Sequence, residues 1–207
     1  MMKYGFMKYN KLKILCSFLL FSFLLLSCES EYTKTVNKEA QKGISKDSMV
    51  LGMSFGDTKQ SFFDQCWKLN NKGLVTQGPN NRSVQYLLNS NKEDKNLTAI
   101  MMLFYGNFNE NNIMTGMDME FSYKSWAPWN DDMTSENLVP VLLDTLMNWF
   151  PGNKFITIES DKLNKETHVK VDGNRQIVLY PKDIKNVVVK IEDLKYKYPE
   201  KFKPANP

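Results

Sequence analysis

Few residues in this sequence are suited to covalent or metal chemistry. The chain of 207 residues contains three cysteines and one histidine. One histidine cannot form a multi-histidine metal site, and three cysteines cannot form a disulfide-rich scaffold. The spacings typical of zinc sites, zinc proteases and EF-hands are missing from the sequence. We therefore expect no metal, no cofactor and no catalytic residues.

Cys66 and His168 are the residues best suited to nucleophilic or base chemistry, and their patterns favour structural roles. Cys66 falls about two turns into a predicted helix, on its apolar side, whereas a reactive thiolate usually needs a helix N-terminus or a cationic neighbour. We expect a buried structural thiol. His168 shares a strand face with Lys170 and Asp172, which predicts a solvated face. A Cys66–His168 dyad stays open as an alternative.

Paired carboxylates offer another route to catalysis, because two of them can act as acid and base. Asp118 and Glu120 alternate with apolar residues, which is typical of the exposed face of a strand. Asp131 and Asp132 follow an asparagine in a turn-like cluster. A hydrolase that uses these carboxylates is our third hypothesis, behind two in which the protein only binds.

Aromatic residues are concentrated in one short connection that contains Tyr123, Trp126 and Trp129. Two of the four tryptophans of the chain lie there. Exposed rings would stack on a sugar or anchor a partner protein. Buried rings would close the end of the core, which is the role we favour. If the protein binds a ligand or partner, these three residues are the predicted site.

The first 27 residues have the composition of a signal peptide. Four lysines precede an apolar run of 13 residues from Ile14 to Leu26, and no acid is present. A membrane-spanning helix needs about 20 residues, so the run is too short to be one. The following Leu25-Leu26-Ser27-Cys28 resembles the lipobox of bacterial lipoproteins. The resemblance implies that Cys28 is acylated and anchors the protein in the outer membrane, on the periplasmic or the surface side. A signal anchor with an ordinary Cys28 thiol is the alternative.

The basic balance of the chain comes from its beginning. The chain has 27 Lys+Arg against 23 Asp+Glu, and the four lysines before residue 14 account for the difference. The remainder is neutral overall and contains two arginines, Arg82 and Arg175. Nucleic-acid binding needs clustered Lys and Arg, so we expect no nucleic-acid partner.

Composition divides the remaining chain into three parts. Residues 29–48 contain only three large apolar residues, so we expect 28–48 to be a lipidated cysteine followed by a flexible tether. Residues 49–193 are rich in apolar side chains and long enough for a single domain. Residues 194–207 are basic and contain three prolines, which predicts a loosely packed tail.

Within the domain, apolar periodicity predicts two helices and seven strands, or six if one of the last four pairs only weakly. A capping pattern at 57–60 begins the first helix, and Gly73 ends it; the second runs from about 135 to 150. Strands are predicted at 84–88, 97–105, 113–123, 155–159, 167–171, 175–180 and 187–191, with a hairpin turn at Asp172-Gly173-Asn174. This order predicts an α+β domain in which two helices lie on one face of an antiparallel sheet. The halves 50–125 and 132–192 would both be αβββ-like.

The segment Val50-Leu51-Gly52-Met53-Ser54, which precedes the first helix, resembles the start of BamE/SmpA-like outer-membrane lipoproteins. It also resembles the repeat of β-lactamase inhibitor proteins, and the chain as a whole is similar to uncharacterised lipoproteins of Bacteroidetes. These resemblances imply a non-catalytic role in binding or assembly. We therefore expect an envelope lipoprotein that binds another envelope protein. The alternative is a lipoprotein that binds a glycan or small ligand through Trp126 and Trp129.

Overall fold

The computed structural model of the chain describes residues 29–88, 99–160 and 165–202. The predicted signal peptide and Cys28 lie outside these residues. The helices are α1 (Glu31–Gln41), α2 (Lys59–Asn71), α3 (Ser135–Trp149) and the short α4 (Leu194–Lys197). The strands are β1 (Val75–Gln77), β2 (Val84–Leu88), β3 (Ile100–Phe108), β4 (Met114–Tyr123), β5 (Ile156–Ser160), β6 (Lys165–Asp172), β7 (Arg175–Pro181) and β8 (Val187–Asp193).

The strands form a single antiparallel sheet in the order β1-β2-β3-β4-β8-β7-β6-β5. Each half of the domain is a helix followed by a four-stranded meander, and the two meanders meet where β4 pairs with β8. The predicted α+β class is confirmed. The first half is αββββ rather than the predicted αβββ, because it contains the additional strand β1. Its three residues are too few to show a period of two.

The two predicted helices, α2 and α3, pack on the same face of the sheet, which we call the inner face. Alternate side chains of the central strands fill the core beneath them; the most deeply buried include Met102, Phe104, Met119, Phe121, Val189 and Ile191. Strand registers place these residues side by side across the sheet. The predicted arrangement of these two helices is therefore correct.

Helix α1 packs on the opposite, outer face, against β5 and β6. Val36 is 2% exposed and lies in a small apolar cluster with Val169 and Val171. The hydroxyl of Tyr32 donates a hydrogen bond to the Gln176 side chain at 2.6 Å. The flexible tether predicted for 28–48 is thus wrong for these residues. The segment of α1, EYTKTVNKEAQ, has too few apolar residues to show a helical period, and only Val36 of them is deeply buried.

The tail also belongs to the folded domain over most of its length. Leu194 is fully buried and begins α4, and Phe202 packs against the same cluster as Val36. The loose packing predicted for 194–207 is therefore corrected up to residue 202. The remaining residues of the tail lie outside the described part of the chain.

The predicted hairpin at 172–174 connects β6 to β7. It is buried, and it forms hydrogen bonds with the N-terminal and the C-terminal parts of the described chain. The Glu39 carboxylate accepts a hydrogen bond from the N–H of the turn glycine at 3.0 Å. The Asn174 side chain accepts one from the N–H of Lys46 at 2.6 Å. The backbone carbonyl of Asn174 accepts another from the N–H of Leu194 at 2.7 Å. The turn therefore holds α1 and the tail against the sheet.

His168, Lys170 and Asp172 share one face of β6, as predicted, but this face is not solvated. Lys170 is 1% exposed and Asp172 is 6% exposed. Their charges are paired, with Lys170 Nζ 2.7 Å from Asp172 Oδ2, although no hydrogen bond of good geometry reaches that oxygen in the described residues. The loop after α3 covers the pair, and the N–H of Asn153 donates to Asp172 Oδ1 at 2.7 Å.

Candidate binding groove

Helix α2 is fastened to the sheet at both of its ends. The N–H of Lys59 donates a hydrogen bond to the carbonyl of Asn112, in the β3–β4 turn, at 2.8 Å. At the other end, the side-chain amide of Asn70 donates to the carbonyl of Val75 in β1 at 2.9 Å. These contacts fix the position of the helix above the edge of the sheet.

The apolar residues of α2 form two rows, and the sheet covers only one of them. Phe62 and Leu69 point to the core and are 5% and 7% exposed. Phe63 directly follows Phe62, and Trp67 comes four residues later on the same side of the helix. These two side chains are 48% and 67% exposed. Large aromatic side chains exposed on one helix face are typical of interaction surfaces.

Beneath α2 lies an open groove of about 740 Å³, which we call the aromatic groove. The ring of Phe62 meets Phe104 and Phe108 edge-to-face, with centroid distances of 6.5 and 5.7 Å. Gly106 also lines the groove, and a side chain at this position would meet the Phe108 ring and Met114. The register between β3 and β4 shifts at Asn107 and Phe108, where Thr115 of β4 is the extra residue.

Two cations, Lys59 and Arg82, line the aromatic groove, and no aspartate or glutamate among the described residues does. Lys59 Nζ lies 5.9 Å from the centre of the Phe108 ring. Neither cation forms an ion pair with another described residue. The described walls of the groove therefore combine apolar side chains with positive charge, which favours a ligand that carries both apolar and acidic groups.

Cys66 lines the same groove from α2. Burial raises the pKa of its thiol to about 11, so the thiolate is scarce at neutral pH. The predicted structural thiol thus lies at a half-buried position rather than a fully buried one. His168 lies in the other half, where its Nδ1 is 3.1 Å from the Thr157 hydroxyl, and no hydrogen bond between described residues joins it to Cys66.

The three aromatic residues predicted as a site are separated by burial. Tyr123 is 8% exposed, so its ring is not open to a ligand. Trp126 is half-buried against the core, and Lys185 Nζ lies 5.3 Å from its ring centre. Trp129 is 85% exposed. The placement argues against Tyr123 as a contact residue, while binding by Trp126 and Trp129 stays a prediction.

The carboxylates of the third hypothesis do not line the aromatic groove, although Asp118 accepts a hydrogen bond from the hydroxyl of Tyr105, which does, at 3.1 Å. Asp118 and Glu120 are on the outer face, where Lys190 approaches the first at 3.7 Å and Lys182 the second at 2.8 Å. Asp131–Met133 forms a short 3-10 turn before α3. Each strand carboxylate is thus held in a surface ion pair of its own.

One motif was missed by the sequence analysis. Gly52-Met53-Ser54-Phe55-Gly56 has the Gly-x-Ser-x-Gly spacing of a hydrolase nucleophile elbow, which requires a strand to turn directly into a helix at the serine. Here a 3-10 turn, Val50–Gly52, precedes Ser54. Ser54 instead forms a bridge with Ser48, and its N–H donates to Asp57 at 2.7 Å. The strand-to-helix geometry of the elbow is therefore not present at this serine.

No family model, curated protein or solved structure matches this chain. Among the helices described, none is long and apolar enough to cross a membrane. The assignment of a functional surface therefore rests on the geometry of the chain itself.

Sequence reasoning did not single out Phe63, Trp67 or Arg82. The sequence contains part of the information, because the apolar residues of α2 occupy two adjacent rows. Together they cover a wider side of the helix than a single buried stripe would. Arg82 carried no signal, since it lies in a turn that the fold brings against α2.

Proposed function

We propose that this protein is a lipid-anchored envelope protein whose domain binds another envelope protein, without catalysis, through the aromatic groove. The membrane part of the proposal rests on the lipobox-like sequence at Cys28. The binding part rests on one observation: α2 leaves Phe63 and Trp67 exposed over an apolar groove.

The exposure of these rings matters because a partner that covered them would remove a large apolar area from water, which is favourable. Binding energy at protein interfaces is concentrated in a few Trp, Tyr and Arg residues, and the groove offers both Trp67 and Arg82. Shape supports the same conclusion, since concave apolar sites with a few polar groups are typical of binding sites.

A capture experiment with matched tryptophan variants tests this proposal. The full chain in phospholipid nanodiscs would be incubated with solubilised envelope, and retained proteins would be quantified by mass spectrometry. We expect Trp67→Ala to lose a specific partner and Trp129→Ala to keep it. Both side chains are more than half exposed, so neither change should unfold the domain. Retention of the same proteins by wild type and Trp67→Ala would refute binding through the aromatic groove.

The membrane anchor has its own test. We expect Cys28→Ala to block lipid attachment and to change the processing of the precursor, since acylation needs the thiol. Metabolic labelling with an alkyne fatty acid and membrane fractionation would measure both. A variant with unchanged labelling, size and fractionation would remove the lipoprotein part of the proposal but leave the groove untouched.

A second candidate function is favoured by the 85% exposure of Trp129. In this alternative, Trp126 and Trp129 stack on a glycan or small ligand, with Lys185 beside the Trp126 ring. Titration of glycans against tryptophan fluorescence tests it, with Trp129→Ala as the test variant and Trp67→Ala as the control. A response that is lost only in Trp67→Ala would point back to the groove.

A further inference from the structure

The floor of the aromatic groove contains a strand segment that, among the described residues, has a paired strand on one side only. The pairing of β2 with β3 stops at Val84 and Phe104, yet β3 continues to Phe108. On its other side, β4 pairs with β3 through this whole stretch. In the part of the chain that the structure describes, residues 105–108 therefore have a strand opposite them on the β4 side and none on the β2 side.

This open edge faces the groove rather than another part of the fold. Tyr105, Gly106 and Phe108 line the groove from β3, while residues 81–84 line it from the far side. In an antiparallel ladder about half of the backbone N–H and C=O groups point to each side. The segment 105–108 thus presents backbone donors and acceptors to the groove, next to the exposed rings of α2.

A strand edge beside an apolar groove is a known arrangement for peptide binding. An extended peptide pairs its backbone with the edge, and alternate side chains enter the adjacent pockets. The Phe108 ring and Met114 fill the space where a side chain at Gly106 would lie, so a peptide would meet this segment along its backbone edge. The extra residue at the nearby register shift, Thr115, belongs to β4 on the other side of the segment.

The charges of the groove restrict the sequence of that peptide. Lys59 and Arg82 both line it, and none of the acidic residues that the structure describes does. A basic peptide would be repelled, whereas carboxylates beside the apolar side chains would pair with the two cations.

We propose that the aromatic groove binds an extended acidic and apolar segment of the partner protein, which adds a strand next to residues 105–108. An apolar side chain of that segment packs against Phe63 and Trp67, and a carboxylate meets Arg82. This inference rests on the proposed function and specifies the chemistry of its partner. A fatty acid would match the walls and the charge, but its alkyl chain would leave the backbone groups of 105–108 unpaired.

Four probes distinguish these possibilities with the full chain in phospholipid nanodiscs. They are the labelled peptide acetyl-EVEFEVE-amide, its Lys counterpart KVKFKVK, an EVEFEVE peptide N-methylated at alternate residues, and dodecanoate. Fluorescence anisotropy measures affinity, and hydrogen–deuterium exchange measures protection of 105–108. We expect the acidic peptide to bind and to slow exchange there, with roughly tenfold weaker binding of the Lys and N-methylated peptides.

Variants in two matched pairs place the site. We expect Trp67→Ala to reduce the affinity for the acidic peptide roughly tenfold, and Arg82→Ala to reduce it roughly fivefold. Trp129→Ala and Lys185→Ala, which remove the same kinds of group from the other surface, should leave affinity unchanged. Equal binding of the N-methylated peptide, or no protection of 105–108, would overturn strand addition.

The remaining outcomes separate this inference from the function it rests on. Binding of dodecanoate without the peptides would identify an anionic amphiphile as the ligand and overturn the inference. Capture of a Trp67-dependent partner, with no peptide binding, would keep the proposed function and reject strand addition. Loss of both signals would reject both.

Discussion

The two halves of the sheet carry helices of similar length that cover it to different extents. In α3, Leu138, Leu142 and Leu146 are fully buried, and they recur every four residues. In α2, two residues are buried, while Phe63 and Trp67 remain exposed. The same order of elements has therefore produced a closed half and an open half.

The difference arises from how each helix uses its apolar residues. Leucines at a spacing of four lie along one row, so the sheet can bury all of them at once. The aromatic residues of α2 are distributed over two rows, and the short edge strand β1 provides little surface to cover the second. The closed half stabilises the domain, and the open half leaves apolar surface available for binding.

The largest expected effect is in the closed half, at its buried ion pair. Asp172→Ala would leave Lys170 without its buried counter-charge, and also Arg175, whose Nη2 lies 4.0 Å from the same oxygen; we expect the domain to be destabilised by about 3–5 kcal/mol. Urea unfolding would measure the change. In the background of Lys170→Met, the same Asp172→Ala change should have a smaller effect, because only Arg175 then loses the carboxylate. An equal effect in both backgrounds would show that the pair is not coupled.

Truncating the buried row of α3 should come next. Leu142→Ala removes a fully buried side chain, so we expect a loss of about 2–5 kcal/mol in the free energy of unfolding. Val141→Ala, at a position 38% exposed on the same helix, is the control, with an expected loss under about 1 kcal/mol. Similar losses would contradict the tight packing of this half.

In the open half, by contrast, truncation of an exposed ring should change stability very little. We expect Trp67→Ala to change the free energy of unfolding by no more than about 0.5–1 kcal/mol, because the side chain is 67% exposed. Urea unfolding and partner capture on the same preparations would separate stability from binding. A loss as large as that of Leu142→Ala would mean that Trp67 supports the core, and the comparison of the halves would fail.

Acid should weaken the closed half through Glu39. Burial alone would raise the pKa of this carboxyl, but hydrogen bonds from Lys42, Gly173 and Asn153 lower it below the ordinary value of 4.5. The stabilisation is therefore present above pH 4.5 and is lost as pH falls through the lower folded value. We expect wild type to lose more stability than Glu39→Gln between pH 6 and pH 3, measured by urea unfolding. Parallel losses would exclude this contribution.

The smallest effect concerns the reactivity of Cys66 in the groove. With a thiol pKa of about 11, its thiolate fraction at pH 8 is roughly a hundredfold below that of an exposed cysteine. We expect correspondingly slow alkylation by iodoacetamide in a chain where Cys66 is the only cysteine. Acidic peptide should slow it further, because Cys66 lines the groove. Alkylation as fast as that of free cysteine would contradict the burial.

Much of the fold could be predicted because it depends on local patterns. The alternation along β4 and the leucine row of α3 identify their elements directly, and the predicted bounds lie within about three residues of the observed ones. β1 and α1 could not be found in this way. β1 is too short, and α1 buries one side of a mostly polar helix through contacts more than a hundred residues distant.

The candidate site was harder to predict because it depends on what the fold leaves uncovered. The aromatic connection at 123–129 appeared unusual in sequence, yet the fold buries Tyr123 and exposes Trp129. Trp67 appeared to be a core residue because it neighbours Phe62 and Cys66 on an apolar stripe. Only the position of α2 relative to the sheet edge decides which ring faces solvent.

The buried turn between β6 and β7 also sets an order of events during folding. Tyr32 and Gln176 are 144 residues apart, and Lys195 reaches Ser45 across 150 residues. In a chain made from its N-terminus, α1 is therefore synthesised long before its partners Gly173 and Gln176 exist. An isolated helix of 11 residues is marginal in water, so α1 stays unfolded during that interval. The first described segment of the chain is among the last to reach its final position.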